Sequence, residues 1–145
     1  IDAGDLPQTW VLELSSFQLD DVNPAVQGFE PSAAVVLNVT QDHLDWHGTM
    51  GAYAAAKARV FGSTATMVIN RDDPLVAAME PQPPAHKPGK PVKGAPKFVP
   101  RHVVRFGLDA PQRPGDFGRL VESGMAWLVR ALPADEVVRF FAPRS

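Results

Sequence analysis

Residues 33–70 read AAVVLNVTQDHLDWHGTMGAYAAAKARVFGSTATMVIN, and this stretch decides the fold. The apolar run at residues 33–39 predicts a buried strand. Thr49 can cap a helix that Gly62 is placed to end. A second apolar strand follows at residues 65–70. Strand, helix and strand in this order are typical of a parallel sheet with a crossover helix.

Further elements flank this unit on both sides. Residues 10–14, WVLEL, predict another buried strand, which Ser15 and Ser16 break. Asp73 and Pro74 are typical of a helix cap with proline at the first helical position. The sequence therefore predicts an α/β fold that is built on a parallel sheet with crossover helices.

A different pattern follows in the second half of the chain. Residues 102–106, 118–122 and 125–130 alternate like short strands, and Ser123-Gly124 is a plausible hairpin turn between the last two. We expect these strands to form a small antiparallel β-subdomain.

A proline-rich stretch separates the two patterns. Residues 81–100 contain seven of the fifteen prolines, four lysines and no acidic residue. This composition suits neither a helix nor a strand ladder, and it leaves open a solvated insertion or a functional lysine-rich arm. We expect four regions, which are a partial α/β core at 1–80, a mobile insertion at 81–101, the small antiparallel strands of the same domain at 102–132 and a tail at 133–145.

Composition limits the function classes. The chain has 145 residues, which fits one domain, and it has no cysteine, so disulfides and thiolate metal sites are excluded. A net charge of −2 gives no sign of the basic surface that nucleic-acid binding requires. No apolar run approaches the roughly 18 residues of a membrane span. The first residue is not Met, and we expect the chain to be a segment cut from a longer protein.

The residues that follow the strand at 33–39 could carry chemistry. Asp42, His43, Asp45 and His47 fall within six positions, just beyond the end of that strand. Ligands of parallel α/β sheets bind beyond the carboxyl ends of the strands. Carboxylates and imidazoles there could hold a divalent ion. A polar loop, in which Asp caps a helix and His is solvated, explains the same pattern.

Glu13 and Lys57 are also ambiguous when taken individually. Glu13 lies within an apolar predicted strand. If it is buried, its carboxylate needs a partner or a metal. Alternatively, it faces outward on a sheet face that is partly exposed to solvent. Lys57 lies four residues after Tyr53, on the helix stripe that is expected to be buried. A desolvated neutral amine could attack carbon dioxide and become a carbamate. The alternative is a snorkelling lysine.

Three stretches together resemble one known family. They are ELSSFQL at 13–19, NVTQDHLDWHG at 38–48, and Ala56-Lys57. Together they are similar to the central domain of the Mur ligases, which add amino acids to the cytoplasmic peptidoglycan precursor. The first stretch resembles the D-glutamate-adding branch of that family. The sequence contains no G-x-x-x-x-G-K-[ST] phosphate loop, and in the family that loop lies upstream in this domain.

The resemblance implies a two-metal site. Glu13 matches a position that binds one Mg²⁺ ion, and His43 matches a ligand of a second Mg²⁺. Lys57 matches a lysine that is carbamylated and supports the second ion. Phosphoryl transfer gathers negative charge, and two Mg²⁺ ions suit that task.

Other residues of these stretches have implied roles. Asp42 matches an acidic residue of the catalytic site, and Ser15 and Gln18 match positions near the nucleotide-sugar substrate. Asp45 and His47 are interpreted as mainly structural.

The resemblance also implies substrates and location. The substrates are ATP, UDP-N-acetylmuramoyl-L-alanine and D-glutamate, and the expected enzyme is a cytoplasmic, monomeric ligase without nucleic-acid partners or membrane insertion. We expect the segment alone to be inactive. Three alternatives remain, which are a Mur ligase that adds another amino acid, a stand-alone metallohydrolase using the Asp/His cluster, and an interaction domain that uses the basic proline-rich stretch.

Overall fold

The computed structural model describes residues 7–21, 29–42, 44–83 and 98–133. Its helices are α1 (Ser16–Asp21), α2 (Leu44–His47), α3 (Met50–Ala58), which continues as a 3₁₀ turn (Arg59–Phe61), and α4 (Pro74–Ala77). Its strands are β1 (Ala33–Val36), β2 (Thr66–Asn70), β3 (Val103–Phe106), β4 (Phe117–Glu122) and β5 (Met125–Arg130). Within these ranges no helix is long and apolar enough to cross a membrane.

The first three strands form one parallel sheet in the order β1-β2-β3. Val35 pairs with Val68, and Val68 pairs with Val104. α3 forms the crossover between β1 and β2, and β4 and β5 form a separate antiparallel sheet. The predicted fold class, a parallel sheet with crossover helices and a small antiparallel sheet, is therefore confirmed.

The expected placement of residues 102–106 among the antiparallel strands is wrong. β3 pairs with β2 in parallel, from Met67↔Val103 to Asn70↔Phe106. All four residues of β3 are partly buried, as is usual for a strand that is covered on both faces. An alternating pattern in a short strand does not reveal the direction of its partner, so the sequence could not distinguish the two sheets.

The predicted strand at residues 10–14 is also absent. The segment carries no strand pairing in the described part of the chain, and Val11 is 93% exposed. A strand needs a neighbour that accepts and donates its backbone hydrogen bonds, and no described strand supplies one. The chain instead enters α1, which begins at Ser16.

α3 begins and ends as the sequence predicts. Thr49 Oγ1 accepts a hydrogen bond from the N–H of Ala52, which satisfies one free donor at the helix start. Gly62 follows the 3₁₀ turn with φ of +49°, a backbone conformation that favours glycine. The apolar stripe of α3 packs on the sheet, and the buried core comprises Val36, Val39, Tyr53, Phe61, Met67, Ile69 and Val76.

The hairpin turn between β4 and β5 is confirmed at Ser123-Gly124. Both residues have positive φ, 52° and 78°, as a two-residue type I′ turn requires. Arg71 joins this hairpin to the parallel sheet, because its guanidinium donates to the Phe117 carbonyl at 2.8 Å and pairs with the Asp109 carboxylate. The Arg71 side chain is 7% exposed and the Asp109 side chain is 58% exposed, so only the arginine side of this connection is shielded from water.

The chain leaves the α/β core after α4 and returns to it before β3 at the same cleft. Pro81, Pro83, Phe98 and Pro100 line the same cleft, which has a volume of about 230 Å³. The expected mobile insertion at 81–101 lies mostly between these residues, and its positions 84–97 are outside the described residues, as is the tail from 134 onward.

Asp73 connects β1 to α4. Its Oδ1 accepts hydrogen bonds from the N–H groups of Leu75 (2.9 Å) and Val76 (3.1 Å), which caps α4. Its Oδ2 accepts from the N–H of Val39 at 2.7 Å. Burial raises the pKa of this carboxyl, but the three backbone N–H bonds and the charge of Lys57 outweigh burial and hold the pKa below its usual value.

We expect Asp73→Ala to destabilise the fold by about 1–2 kcal/mol, because it removes a helix cap and leaves the Val39 N–H without its acceptor. Urea unfolding followed by circular dichroism measures this change. Asp73→Asn is the matched control, since asparagine caps helices as well as aspartate does, and it should lose less than Asp73→Ala. Equal stability of Asp73→Ala and the parent chain would contradict this role.

Glu30 holds the turn that follows α3. Its carboxylate accepts hydrogen bonds from the N–H of Ser63 (2.9 Å) and of Thr64 (3.1 Å) and from both hydroxyls. The side-chain and backbone hydrogen bonds from Ser63 are the largest causes that lower the pKa of Glu30, from 4.5 to about 2. A carboxyl with a lowered folded-state pKa stabilises the fold above its unfolded-state pKa.

The contribution of Glu30 should therefore be complete above pH 4.5 and be lost as the pH falls from 4.5 to about 2. Unfolding midpoints measured across this window should fall more steeply for the parent chain than for Glu30→Gln, which does not titrate. Parallel curves for the two proteins would show that Glu30 does not make these bonds in solution.

Candidate functional site

Lys57 reaches from α3 to the carboxyl end of β1. Its Nζ donates a hydrogen bond to the carbonyl oxygen of Asn38 at 3.1 Å. Nζ also lies 4.9 Å from the centroid of the Tyr53 ring, one turn earlier on α3. Since residues four apart share a helix face, the helix itself holds the amine over this ring. Lys57 is thus held at the end of the sheet where parallel α/β folds bind ligands.

A carboxylate lies near this amine. Asp73 binds the N–H of Val39, the residue after Asn38, and Lys57 attracts Asp73 electrostatically. The end of β1 therefore brings together the Lys57 amine, the Asn38 carbonyl and the Asp73 carboxylate. Neither Asn38 nor Asp73 was predicted as a site residue, although the Asp-Pro cap pattern identified Asp73 as structural.

Glu13 lies in the unpaired segment before α1. It is exposed, so the expectation of a carboxylate within a buried strand is wrong for this structure. Within the described ranges no three His, Asp or Glu side chains converge in a group that could hold a metal ion. His43 is outside the described residues, so the expected ligand set of Glu13, His43 and Lys57 stays a prediction.

Ser15 and Gln18 bind each other at the start of α1. Gln18 Oε1 accepts from the N–H of Ser15 (2.8 Å) and from its hydroxyl (3.0 Å), and the Gln18 N–H donates to Ser15 Oγ at 3.3 Å. This is a reciprocal capping box, which satisfies free donors of the first helical turn. Ser15 and Gln18 thus have a structural role, and their expected place near the substrate stays a prediction.

Asp42 is exposed, immediately before the one undescribed position of the loop. It lies beyond the end of β1, as predicted, and has an interaction of its own. Its expected catalytic role stays a prediction.

A stack of rings, which sequence reasoning missed, lies behind Lys57. Trp46, Phe17, His47 and Tyr53 follow one another with centroid separations of 5.4, 5.9 and 5.3 Å. They come from α1, α2 and α3, so the contacts join three helices. Aromatic residues in all three helices were the available signal, but short helices, with α1 far from α2 and α3 in sequence, give no periodicity to connect them.

The atoms at this edge are of the type that Mg²⁺ binds, although both Asp73 oxygens already accept backbone N–H groups. That ion prefers oxygen ligands, and the end of β1 presents the Asn38 carbonyl and the Asp73 carboxylate close to the Lys57 amine. A carbamate on Nζ would add two further oxygens at the same place. The unmodified ammonium has no lone pair and cannot itself bind a cation, so the fit depends on that modification.

Comparison with known proteins identifies a family and several relatives that this chain is similar to. Residues 4–90 match the family model described as Mur ligase middle domain. The chain is 58% identical over 137 residues to the UDP-N-acetylmuramoylalanine–D-glutamate ligase of Albidiferax ferrireducens, which covers 94% of this chain and 25% of that protein. Proteins of the same name are 58% identical in a Polaromonas species (96% and 22% covered) and 48% identical in Burkholderia multivorans (93% and 24%).

The chain therefore spans about a quarter of the length of these relatives. The family model covers more than half of the chain and includes the helix that carries Lys57. The parallel sheet and its crossover helix have the topology that the sequence pattern predicts, and β1, α3 and β2 lie within the matched residues. This chain belongs to the Mur ligase family and carries part of its middle domain.

Proposed function

We propose that this chain is part of an ATP-dependent ligase that joins D-glutamate to UDP-N-acetylmuramoyl-L-alanine during synthesis of the peptidoglycan precursor. The observation that carries the proposal is the 58% identity, over 94% of the chain, to a ligase whose name states these two substrates. The position of Lys57 at the carboxyl end of β1 supports it, since this is where an α/β sheet binds ligands. The proposal includes a cytoplasmic, monomeric enzyme.

The proposed reaction has two steps. The terminal carboxylate of the nucleotide-sugar alanine attacks the γ-phosphate of ATP, which releases ADP and gives an acyl phosphate. The amine of D-glutamate then attacks the acyl carbon, so that an amide forms, phosphate leaves and the amine loses a proton. Bound Mg²⁺ would supply positive charge where negative charge gathers.

We assign three residues to holding the metal ions. The Glu13 carboxylate and the His43 imidazole are the direct ligands in this proposal. The neutral Lys57 amine adds to carbon dioxide, so a carbon–nitrogen bond forms, a proton is released and the side chain becomes an anion. The bond from Nζ to Asn38 supports this assignment, because it shows that the Lys57 side chain reaches the required end of the sheet.

Asp42, Ser15 and Gln18 complete the proposed site. Asp42 is the acidic residue beside the reacting groups, and Ser15 and Gln18 face the nucleotide-sugar. The capping box uses Oε1 of Gln18 as its acceptor, so the Nε2 group of the same side chain is the donor for substrate in this proposal. The capping box would then fix the orientation of that donor.

In the full-length ligase, Lys57→Ala should lower kcat by at least about a hundredfold, because the anion that supports the metal is lost. Short carboxylic acids added to the assay should restore part of the activity by replacing the carbamate. Steady-state kinetics with and without added acetate or formate test this.

Arg59→Lys is a matched control for that rescue. Arg59 follows Lys57 by two residues, and its guanidinium donates a hydrogen bond to the Leu19 carbonyl. The activity of Arg59→Lys should not change when carboxylic acids are added. Full activity of Lys57→Ala without additives would refute the carbamate.

Glu13→Ala should separate activity from stability. Glu13 is exposed, so the substitution should change the free energy of unfolding by no more than about 0.5 kcal/mol. Loss of a metal ligand should nevertheless reduce kcat by at least about a hundredfold at saturating Mg²⁺. Glu122→Ala removes another exposed carboxylate, on β4, and serves as the control with unchanged kcat. A near-normal kcat for Glu13→Ala would end its assignment as a ligand.

A further inference from the structure

His47 lies between the two parts of the chain that carry proposed metal-site residues. Its Nε2 is 3.1 Å from Oγ of Ser16, the first residue of α1. Its ring stacks on Phe17 at a centroid separation of 5.9 Å and on Tyr53 at 5.3 Å, with interplanar angles of 28° in both pairs. The imidazole therefore contacts α1 on one side and α3 on the other.

Two of the three contacts of His47, those with Ser16 and Tyr53, are made to buried groups. Ser16 is 4% exposed, and Tyr53 is 4% exposed and belongs to the hydrophobic core. Groups that are almost fully buried have little rotational freedom, so they can determine where the imidazole lies. His47 itself is only partly buried, so it is oriented mainly by these neighbours.

Each fixed group is close to a residue of the proposed site. Tyr53 lies under the Lys57 amine, 4.9 Å from Nζ. Ser16 follows Glu13 by three residues, and the capping box between Ser15 and Gln18 makes this short connection rigid at its helical end. A displacement of α1 relative to α3 would therefore move Glu13 relative to Lys57.

We propose that His47 is a positioning residue for the metal site: by bonding Ser16 and stacking on Tyr53, it sets the distance between the segment that carries Glu13 and the helix that carries Lys57. This inference rests on the proposed function, since it assumes that both residues support bound metal. It goes beyond the interpretation of His47 as mainly structural.

The chemistry of imidazole suits both contacts at once. The ring is flat and stacks on aromatic faces, and its edge nitrogen exchanges a hydrogen bond with a hydroxyl. Phenylalanine would keep the stack and lose the bond to Ser16. Glutamine would keep a polar atom for Ser16 and lose the stack. The two functions of the side chain can therefore be removed separately.

Trp46 provides a matched control from the same helix. It packs on the outer side of Phe17 at 5.4 Å and is 61% exposed. Its Nε1 bonds Asp20 at 3.3 Å, at the other end of α1. Removal of Trp46 takes away a ring of the stack but leaves the connection from Ser16 through His47 to Tyr53 intact.

The test measures the Mg²⁺ concentration that gives half-maximal ligase activity of the full-length enzyme, together with kcat and the thermal midpoint. Residues that orient metal ligands typically change metal affinity about 10–100-fold when they are replaced. His47→Ala should raise the half-saturating Mg²⁺ concentration at least about tenfold, whereas Trp46→Ala should stay within about twofold of the parent enzyme. His47→Phe and His47→Gln should fall between His47→Ala and the parent.

Ser16→Ala tests the hydrogen bond from its other side. It should raise the half-saturating Mg²⁺ concentration as His47→Phe does, and the double variant should be no worse than either single variant, because both remove one bond. Additive effects of the two substitutions would overturn the role of this bond.

Glu13→Ala and Lys57→Ala, measured in parallel, separate the two levels of inference. If these two shift the Mg²⁺ dependence and His47→Ala only lowers the thermal midpoint, His47 is merely structural and the proposed function stands. If none of the three shifts the Mg²⁺ dependence, the proposed metal site and the positioning role both fail. A shift in all three, with Trp46→Ala unchanged, supports the inference.

Discussion

The carboxylate of Asp73 fixes the edge of the sheet on which the site depends. One oxygen caps α4 and the other holds the backbone of Val39, 34 residues earlier in the chain. The end of β1 and the start of α4 therefore cannot move independently. Asn38 lies next to Val39 and receives the Lys57 amine, so the position of the proposed modified lysine follows from this contact.

Three arginines likewise join separate parts of the fold through hydrogen bonds to backbone carbonyls. A guanidinium carries up to five donors in a flat fork, so one side chain can satisfy several backbone carbonyls. The carbonyl acceptors are Leu19 and Asp20 for Arg59, Asp109, Ala110 and Phe117 for Arg71, and Phe61, Gly62 and Ala65 for Arg101. Each set lies where a helix, turn or strand ends, and such ends leave carbonyls without partners.

Local signals in the sequence predicted local structure well. The Thr49 cap, Gly62 at the end of the helical region and the Ser123-Gly124 turn are specified by a few neighbouring residues, and all are present. The strand at 10–14 and the sheet assignment of β3 depend on partners far along the chain, and both predictions were wrong.

The candidate site was predictable to a similar extent. Lys57 was identified from its helical position and the family resemblance, and it does lie at the carboxyl end of β1. The ring stack through His47 was not predictable, because it arises only when three short helices meet. Non-local packing of this kind leaves no periodic pattern in one sequence.

The cleft where the chain leaves the sheet and returns has an evolutionary consequence. Pro83 and Phe98 line the same 230 Å³ cleft, and Glu80, which also lines it, pairs with Arg105 at the end of the parallel sheet. Once both ends of a connection are anchored, each doubling of its length costs only about 0.6 kcal/mol of closure entropy. Insertions and deletions between these anchors therefore meet weak selection from stability, and this is the position at which a reporter domain could be spliced into the protein while the register of β2 and β3 is kept.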